Sequence, residues 1–112
     1  MGLIEGKKGE DEAADYLKNI GYEILSKNFR SKFGEIDIIA KNGCTIVFVE
    51  VKMRKNKRFG SGYESVSRSK IEKLLKTANY FLSLQKSDFL YRFDVISIDD
   101  GKICHIENAF QI

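Results

Sequence analysis

Residues 34–54 constrain the fold of this chain more than any other segment. They contain two runs rich in Ile, Val and Phe, 34–40 and 46–54, which are separated by Asn42 and Gly43. An Asn-Gly pair between two apolar runs is a strong signal of a β-hairpin. We therefore predict two antiparallel strands, joined by a tight turn, in the middle of the chain.

Acidic residues interrupt the apolar pattern of both strands. On the first strand, alternation places one face at Glu35, Asp37 and Ile39 and the opposite face at Ile36, Ile38 and Ala40. On the second strand, it places one face at Phe48, Glu50 and Lys52 and the opposite face at Val47, Val49 and Val51. A loop with an even number of residues, either Asn42-Gly43 or Gly43-Cys44, places Asp37 beside Glu50 on one face. An odd loop separates the two acids.

Two carboxylates and a lysine on a largely apolar sheet need partners. Burying like charges close together is costly and raises a pKa unless another charge compensates them. Hard cations such as Mg²⁺ take carboxylate oxygens and keep water and phosphate as further ligands, so Asp37, Glu50 and Lys52 are typical of a phosphodiester-cleaving site. The alternative is a structural ion pair between Lys52 and either acid.

Length and composition narrow the class of protein. The 112 residues allow one domain, 1–112, and the 43% hydrophobic and 31% charged residues are typical of a globular protein. No run approaches the roughly 18 apolar residues of a membrane span, so we expect a cytoplasmic protein without a membrane partner. Cys44 and Cys104 form no CxxC pair, and with His105 as the single histidine there is no Cys/His zinc cluster.

Basic residues are concentrated around the acids, although the net charge is only +3. Residues 24–63 contain three acids, Glu35, Asp37 and Glu50, against nine basic residues: Lys27, Arg30, Lys32, Lys41, Lys52, Arg54, Lys55, Lys57 and Arg58. This layout is expected where an anionic polymer approaches a metal held by carboxylates. For the basic loop 55–63 alone, a solvated charged surface is the alternative.

Two helices are predicted outside the hairpin. Residues 7–20 have apolar residues at helical spacing, and Gly21 follows as a C-cap. Glu10 lies on the apolar face of this helix, where it is either a favourable charge near the N-terminus or reaches the acids of the hairpin. A second helix is predicted to begin near Ser69, which forms a capping box with Glu72.

Three further strands complete the pattern. A strand is predicted at residues 22–29, before the hairpin, and a basic connection joins it to the hairpin. Another strand is predicted at residues 92–98, after the second helix. Residues 103–110 are expected to pair back on that strand. We expect Asp94 to be the partner of an Arg or Lys rather than a metal ligand, and His105 to be an ordinary strand residue.

The order helix, strand, strand with Asp, hairpin, strand with Glu-x-Lys, helix and strand resembles the restriction-endonuclease-like PD-(D/E)xK nuclease superfamily. A closer resemblance, over nearly the whole chain, is to the YraN-like family of small bacterial proteins, which is linked to archaeal Holliday-junction resolvases by similarity. The residues that resemble it are Gly9-Glu10, Gly21-Tyr22, Asn28, Gly34-Glu35-Ile36-Asp37, Phe48-Val49-Glu50-Val51-Lys52, Arg54, Lys70, Ala78 and Arg92-Phe93-Asp94. Ile36 replaces the proline that names the superfamily, as in many of its members.

This resemblance implies a single endonuclease-like α/β domain with three layers, a central mixed β-sheet flanked by helices. It implies a DNA endonuclease that uses Mg²⁺ or Mn²⁺ and acts on junction or branched DNA, as a homodimer if two strands are cut. The resolvase motif carries over to four catalytic residues: Glu10, Asp37, Glu50 and Lys52. Asp37 and Glu50, with the Val51 carbonyl, would hold the metal.

The remaining implied contacts are with phosphates. They are assigned to basic residues that position DNA without reading its sequence: Arg54, Lys55, Lys57, Arg58 and Lys70. The alternative function is a non-catalytic nucleic-acid-binding or interaction module that keeps the nuclease fold.

Overall fold

The chain folds around one five-stranded sheet. The computed structural model describes residues 2–54 and 67–110, with side chains for 8–53 and 67–110. The elements in chain order are α1 (Gly2–Asn19), β1 (Glu23–Ser31), β2 (Gly34–Asn42), β3 (Thr45–Arg54), α2 (Arg68–Ser83), β4 (Leu90–Asp99) and β5 (Lys102–Ile106). The sheet order is β1-β2-β3-β4-β5. The β3–β4 pair is parallel and the other pairs are antiparallel, which confirms the predicted mixed sheet.

The two helices cover opposite faces of the sheet. On the α1 face the buried residues include Ala13, Leu17, Ile38, Val49 and Ile96. On the α2 face they include Ile39, Phe48, Leu74, Phe81 and Phe93. Successive strand residues thus enter different cores, which is why β2 and β3 are apolar on both faces. The predicted three-layer α/β arrangement is confirmed.

The central hairpin has the even loop that brings the acids together. Asn42 pairs with Thr45, so Gly43 and Cys44 form the turn. Gly43 has a φ of 63°, which an L side chain adopts at a cost and glycine does not. Gly21, with a φ of 96°, ends α1 as the predicted C-cap.

Helix and strand boundaries differ from the sequence prediction. α1 begins at Gly2 rather than residue 7. The N-cap of α2 is Ser67 rather than Ser69: its backbone is extended and its side chain accepts from the Lys70 N–H at 3.1 Å. Either serine can cap a helix, and the upstream one makes the helix two residues longer, since it then includes Arg68 and Ser69. β1 continues to Ser31, and β5 ends at Ile106.

One predicted face is wrong. Ile36 packs with Ile39 in the α2 core, whereas Ile38 belongs to the α1 core. On the neighbouring strand β1 the register shifts between Ile24 and Ser26, and Asn28 has a φ of 57°. Strict alternation along β2 thus does not hold at Ile36.

Within the described part of the chain, neither helix combines the length and hydropathy needed to cross a membrane.

Candidate active site

The acids meet where β2 separates from β3. Strand pairing ends at Ile38 and Val49, and Asp37 and Glu50 are the next residues on the two strands. Asp37 stays attached to β3 because the Val51 N–H donates to its Oδ2 at 2.9 Å. The hairpin thus fixes the Asp37 carboxylate at its open end, close enough to Glu50 for the two charges to interact.

Three half-buried carboxylates lie together at this end of the sheet. Oxygens of Glu10, Glu35 and Asp37 lie within 4.8 Å of one another. α1 approaches β3 closely here: a side-chain carbon at Gly9 would lie 3.3 Å from the Met53 Sδ. The packing of α1 therefore brings Glu10 to Asp37, although the two residues lie on different elements.

Glu35 was not among the site residues predicted from the sequence. It lies two positions before Asp37, and strand alternation already placed both side chains on one face. The alternation of the strand was therefore sufficient to predict Glu35 as a site residue together with Asp37. Glu35 also accepts from Arg30 Nε at 3.1 Å, but Arg30 is largely exposed and such an ion pair contributes little to stability.

Glu50 is buried, with 4% exposure, and faces two lysines. Its Oε1 lies 3.0 Å from Lys70 Nζ and 3.7 Å from Lys52 Nζ. Its Oε2 has no hydrogen-bond partner among the described residues. Buried polar atoms are nearly always satisfied in folded proteins, so this oxygen fits the role of a ligand atom. The Lys52–Glu50 pair that the sequence offered as an alternative is also present.

Burial and neighbouring charges shift the pKa values of Asp37 and Lys70. Burial and the Glu50 charge raise the pKa of Asp37 to about 7, against a lowering by the Val51 N–H. For Lys70, burial acts to lower the pKa, but the hydrogen bond to Glu50 and the surrounding carboxylates outweigh it, so the pKa of Lys70 is raised. The carboxylates thus repel one another, and Lys70 stays charged.

A cleft of about 440 Å³ opens beside these groups. Its β2 wall contains Glu35 and Asp37, and its α2 wall consists of Ser67, Ser69, Lys70, Lys73 and Leu74. The volume lies in the range of small-ligand sites, which begins near 300 Å³. Acidic groups on β2 therefore face lysines and hydroxyls across a space of small-ligand size.

The donor set fits a hard divalent cation. Glu10, Glu35 and Asp37 offer oxygens that lie within 4.8 Å of one another, and Glu50 offers a buried oxygen that has no partner among the described residues. Oxygen-only sites favour Mg²⁺ or Mn²⁺ over zinc. At Val51, the contact seen is that of its N–H with Asp37, so the role of its carbonyl as a ligand stays a prediction.

For most of the predicted phosphate-binding residues the side chain is not described. Arg54 ends β3, and its side chain is not described, while Lys55, Lys57 and Arg58 lie outside the described residues. Lys70 is described, and it contacts Glu50.

A second polar cluster joins α1, β4 and β5. Asp94 is fully buried, accepts from Arg92 Nε at 3.0 Å and from the Asn108 N–H at 2.9 Å, and lies 2.7 Å from His105 Nε2. The other ring nitrogen of His105 lies 3.1 Å from the Tyr16 hydroxyl. The prediction that Asp94 is an arginine partner is confirmed. Burial acts to raise the pKa of Asp94, but the hydrogen bonds from His105 and Arg92 outweigh it, so the pKa is lowered.

The sequence of this chain matches a known protein family. The model of the uncharacterised protein family UPF0102 matches residues 9–98, which include Glu10 and the three acids of the hairpin, Glu35, Asp37 and Glu50. The chain belongs to UPF0102. A UPF0102 protein of Thermodesulfovibrio yellowstonii is 56% identical over 111 residues, covering 98% of this chain and 99% of the relative.

Other UPF0102 proteins are similar over nearly their whole length. The relative from Sulfurihydrogenibium sp. is 52% identical over 111 residues, 96% of this chain and 95% of the relative. The relative from Shewanella loihica is 41% identical over 108 residues, again 96% and 95%. Membership of UPF0102 does not by itself specify an activity, so the chemistry must be argued from the site.

Glu35→Gln is expected to weaken Mg²⁺ or Mn²⁺ binding about tenfold while leaving the fold intact, because it replaces an anionic oxygen with a neutral one. Isothermal titration calorimetry measures the affinity, and circular dichroism checks the fold. Glu72→Gln, on the exposed side of α2, is the control. An affinity equal to that of the unmodified chain would show that Glu35 serves only its pair with Arg30.

Proposed function

We propose that this protein is a metal-dependent DNA endonuclease that hydrolyses phosphodiester bonds in branched or structured DNA. The observation that supports it most is the convergence of four carboxylates beside a cleft lined by lysines: Glu10, Glu35, Asp37 and Glu50. A protein that only binds phosphate needs positive charge, and clustered acids oppose that binding unless a cation compensates them.

The finer classification is part of the same proposal. The strand aspartate followed by Glu50-Val51-Lys52 resembles the PD-(D/E)xK motif, and the pattern along the chain resembles that of the YraN-like family. We infer from this resemblance that the three-layer fold, a sheet with a helix on each face, is of the restriction-endonuclease-like type.

The acids of the hairpin have the ligand role in this proposal. Asp37 and Glu50, with the Val51 carbonyl and with Glu35 beside them, would hold Mg²⁺ or Mn²⁺. A divalent cation at this position supplies Lewis-acid polarisation of the phosphate and lowers the pKa of a water molecule.

The remaining site residues act on water and phosphate. Lys52, which lies 3.7 Å from Glu50, would orient the attacking water or offset the charge that develops on the phosphate oxygens. Glu10 would position water or bind a second cation. Glu10 approaches from α1 and Lys52 from β3, so the two residues reach the site from different elements.

DNA would be positioned through its backbone. Basic residues after β3 and on α2 would bind phosphates, which fixes orientation without reading sequence: Arg54, Lys55, Lys57, Arg58 and Lys70. Selection by DNA shape is consistent with this arrangement. Cutting both strands of a junction requires two active sites, so we propose a homodimer for that reaction.

A second candidate function is a nucleic-acid-binding module without turnover. The observation that favours it is the pairing of Glu50 with both Lys70 and Lys52, since these lysines already compensate the buried carboxylate without a cation. Such a module would bind DNA and would not cleave it, whichever divalent cation is present.

A cleavage assay separates the two functions. Purified protein is incubated with branched and linear DNA in Mg²⁺, in Mn²⁺ and in chelator, and we expect metal-dependent nicking that favours branched DNA. Glu50→Gln and Lys52→Ala are each expected to lower the rate at least about 100-fold, whereas Lys102→Ala, on the exposed edge of β5, leaves it unchanged. DNA binding without cleavage in either metal would overturn the endonuclease and support the module.

A further inference from the structure

Lys70 contacts the buried Glu50 from a position that also faces the cleft. Its Nζ lies 3.0 Å from Glu50 Oε1, closer than that of Lys52 at 3.7 Å. The Lys70 side chain is 44% exposed and lines the cleft beside Asp37, whereas that of Lys52 is 24% exposed and is not part of the lining. Lys70 therefore has two anionic partners within reach, the buried carboxylate and any anion that enters the cleft.

The charges of the site favour a change of partner. Among the described residues, Lys70 and Lys52 are the cations paired with Glu50, and both approach its Oε1. A divalent cation beside the carboxylates compensates Glu50 more strongly than an ammonium group and repels the Lys70 charge. Lys70 then lies next to a cleft in which a phosphate oxygen is the anion that its charge and position favour.

The position of Glu50 in the structure is consistent with this exchange. Glu50 is not one of the three acids whose oxygens lie within 4.8 Å of one another. Its Oε1 instead faces the lysines, and its Oε2 stays without a partner among the described residues. Loss of the Lys70 contact would remove the nearer of the two ammonium groups from Oε1 and leave Lys52 at 3.7 Å, so the carboxylate would be more available to a cation.

We propose that Lys70 couples cation binding to nucleic-acid binding by exchanging Glu50 for a backbone phosphate. This inference rests on the proposed cation site and adds a regulation to it. In the cation-free protein Glu50 engages Lys70, so the cleft has one fewer free positive charge for phosphate. By linkage, nucleic acid raises the affinity for the cation by the same factor as the cation raises the affinity for nucleic acid.

The first test measures binding of a fluorescein-labelled DNA duplex by anisotropy, at constant ionic strength, in Ca²⁺ or in chelator. Ca²⁺ is chosen because it also takes oxygen ligands. We expect Ca²⁺ to tighten binding to the unmodified chain about tenfold, and to change binding to Lys70→Met by less than about twofold. An equal response of both proteins overturns the coupling.

Lys73→Met is the matched control. Lys73 is the next lysine along α2 and lines the same cleft, but Lys70 and Lys52 are the lysines seen to pair with Glu50 in the described part of the chain. Lys73→Met is expected to weaken DNA binding in both conditions and to keep the response of about tenfold to Ca²⁺. Loss of that response in Lys73→Met as well would show that any cleft lysine produces it, which also overturns the assignment to Lys70.

Calorimetric titration of the DNA-free protein with Mg²⁺ separates exchange from a purely structural role. Lys70→Met, or Lys70→Gln if the first variant does not fold, is expected to bind Mg²⁺ about fivefold more tightly because the competing ammonium group is gone. Weaker binding would mean that Lys70 only holds Glu50 in place, and overturns the exchange. If the unmodified chain binds no Mg²⁺, the proposed cation site fails; if it binds Mg²⁺ equally with and without Lys70, the coupling alone fails.

Discussion

Asp37→Asn is expected to stabilise the metal-free protein and to abolish cleavage. In the folded chain, burial and the Glu50 charge raise the pKa of Asp37 from 3.8 to about 7. The folded state therefore binds a proton that the unfolded state has released between these pH values, and stability falls as pH rises through this window. Asparagine is neutral at every pH, and its carbonyl can still accept the Val51 N–H.

The size of the effect follows from the shift in pKa. Each pKa unit corresponds to about 1.4 kcal/mol, and the pKa of Asp37 rises by about three units, so the free energy of unfolding of the variant is expected to exceed that of the unmodified chain by about 4 kcal/mol above pH 7. The difference should open between about pH 4 and pH 7 and stay constant above that range. Cleavage should fall at least about 1,000-fold, because the cation loses an anionic ligand at the reacting phosphate.

Urea unfolding in chelator across this pH range measures the free energy of unfolding, and the nicking assay measures cleavage. Asp88→Asn, at an exposed position between α2 and β4, is the control and should change neither quantity. An Asp37→Asn variant that is no more stable than the unmodified chain at pH 8 would contradict the burial and repulsion inferred for Asp37. Such a stability gain at the cost of activity is typical of functional sites.

Asp94→Ala is expected to cause the largest loss of stability among the changes considered. Asp94 is fully buried and is the shared partner of Arg92, His105 and the Asn108 N–H. Removing one member of a buried charge pair typically costs about 3 to 5 kcal/mol, because the remaining charge is left uncompensated. That cost is a large part of the stability of a domain of this size.

Urea unfolding at pH 7 measures this loss, with Asp15→Ala on the exposed side of α1 as the control. Asp94→Asn keeps hydrogen-bonding capacity and should lose less than Asp94→Ala. A loss below about 1 kcal/mol for Asp94→Ala would place this carboxylate in the range of surface ion pairs, in conflict with its burial.

Local patterns in the sequence determined the elements and part of the site. The alternation around Asn42 and Gly43 specified the hairpin, and an even loop sufficed to place Asp37 next to Glu50. The helical spacing before Gly21 specified α1. The predicted first residue of α1 differed from the observed one because several residues can begin a helix. These features depend on neighbours in the chain, so the periods of 2 and 3.6 residues reveal them.

Only the tertiary structure decided which distant groups meet. The approach of Glu10 to Asp37 depends on the packing of α1 against β3 at Gly9, and the contact of Lys70 with Glu50 depends on where α2 begins on the opposite face of the sheet. The pKa of Asp37 likewise reflects burial and charges from other elements. The sequence determined which side chains each strand and helix presents, whereas distances between elements arise from packing across the sheet, which no local period encodes.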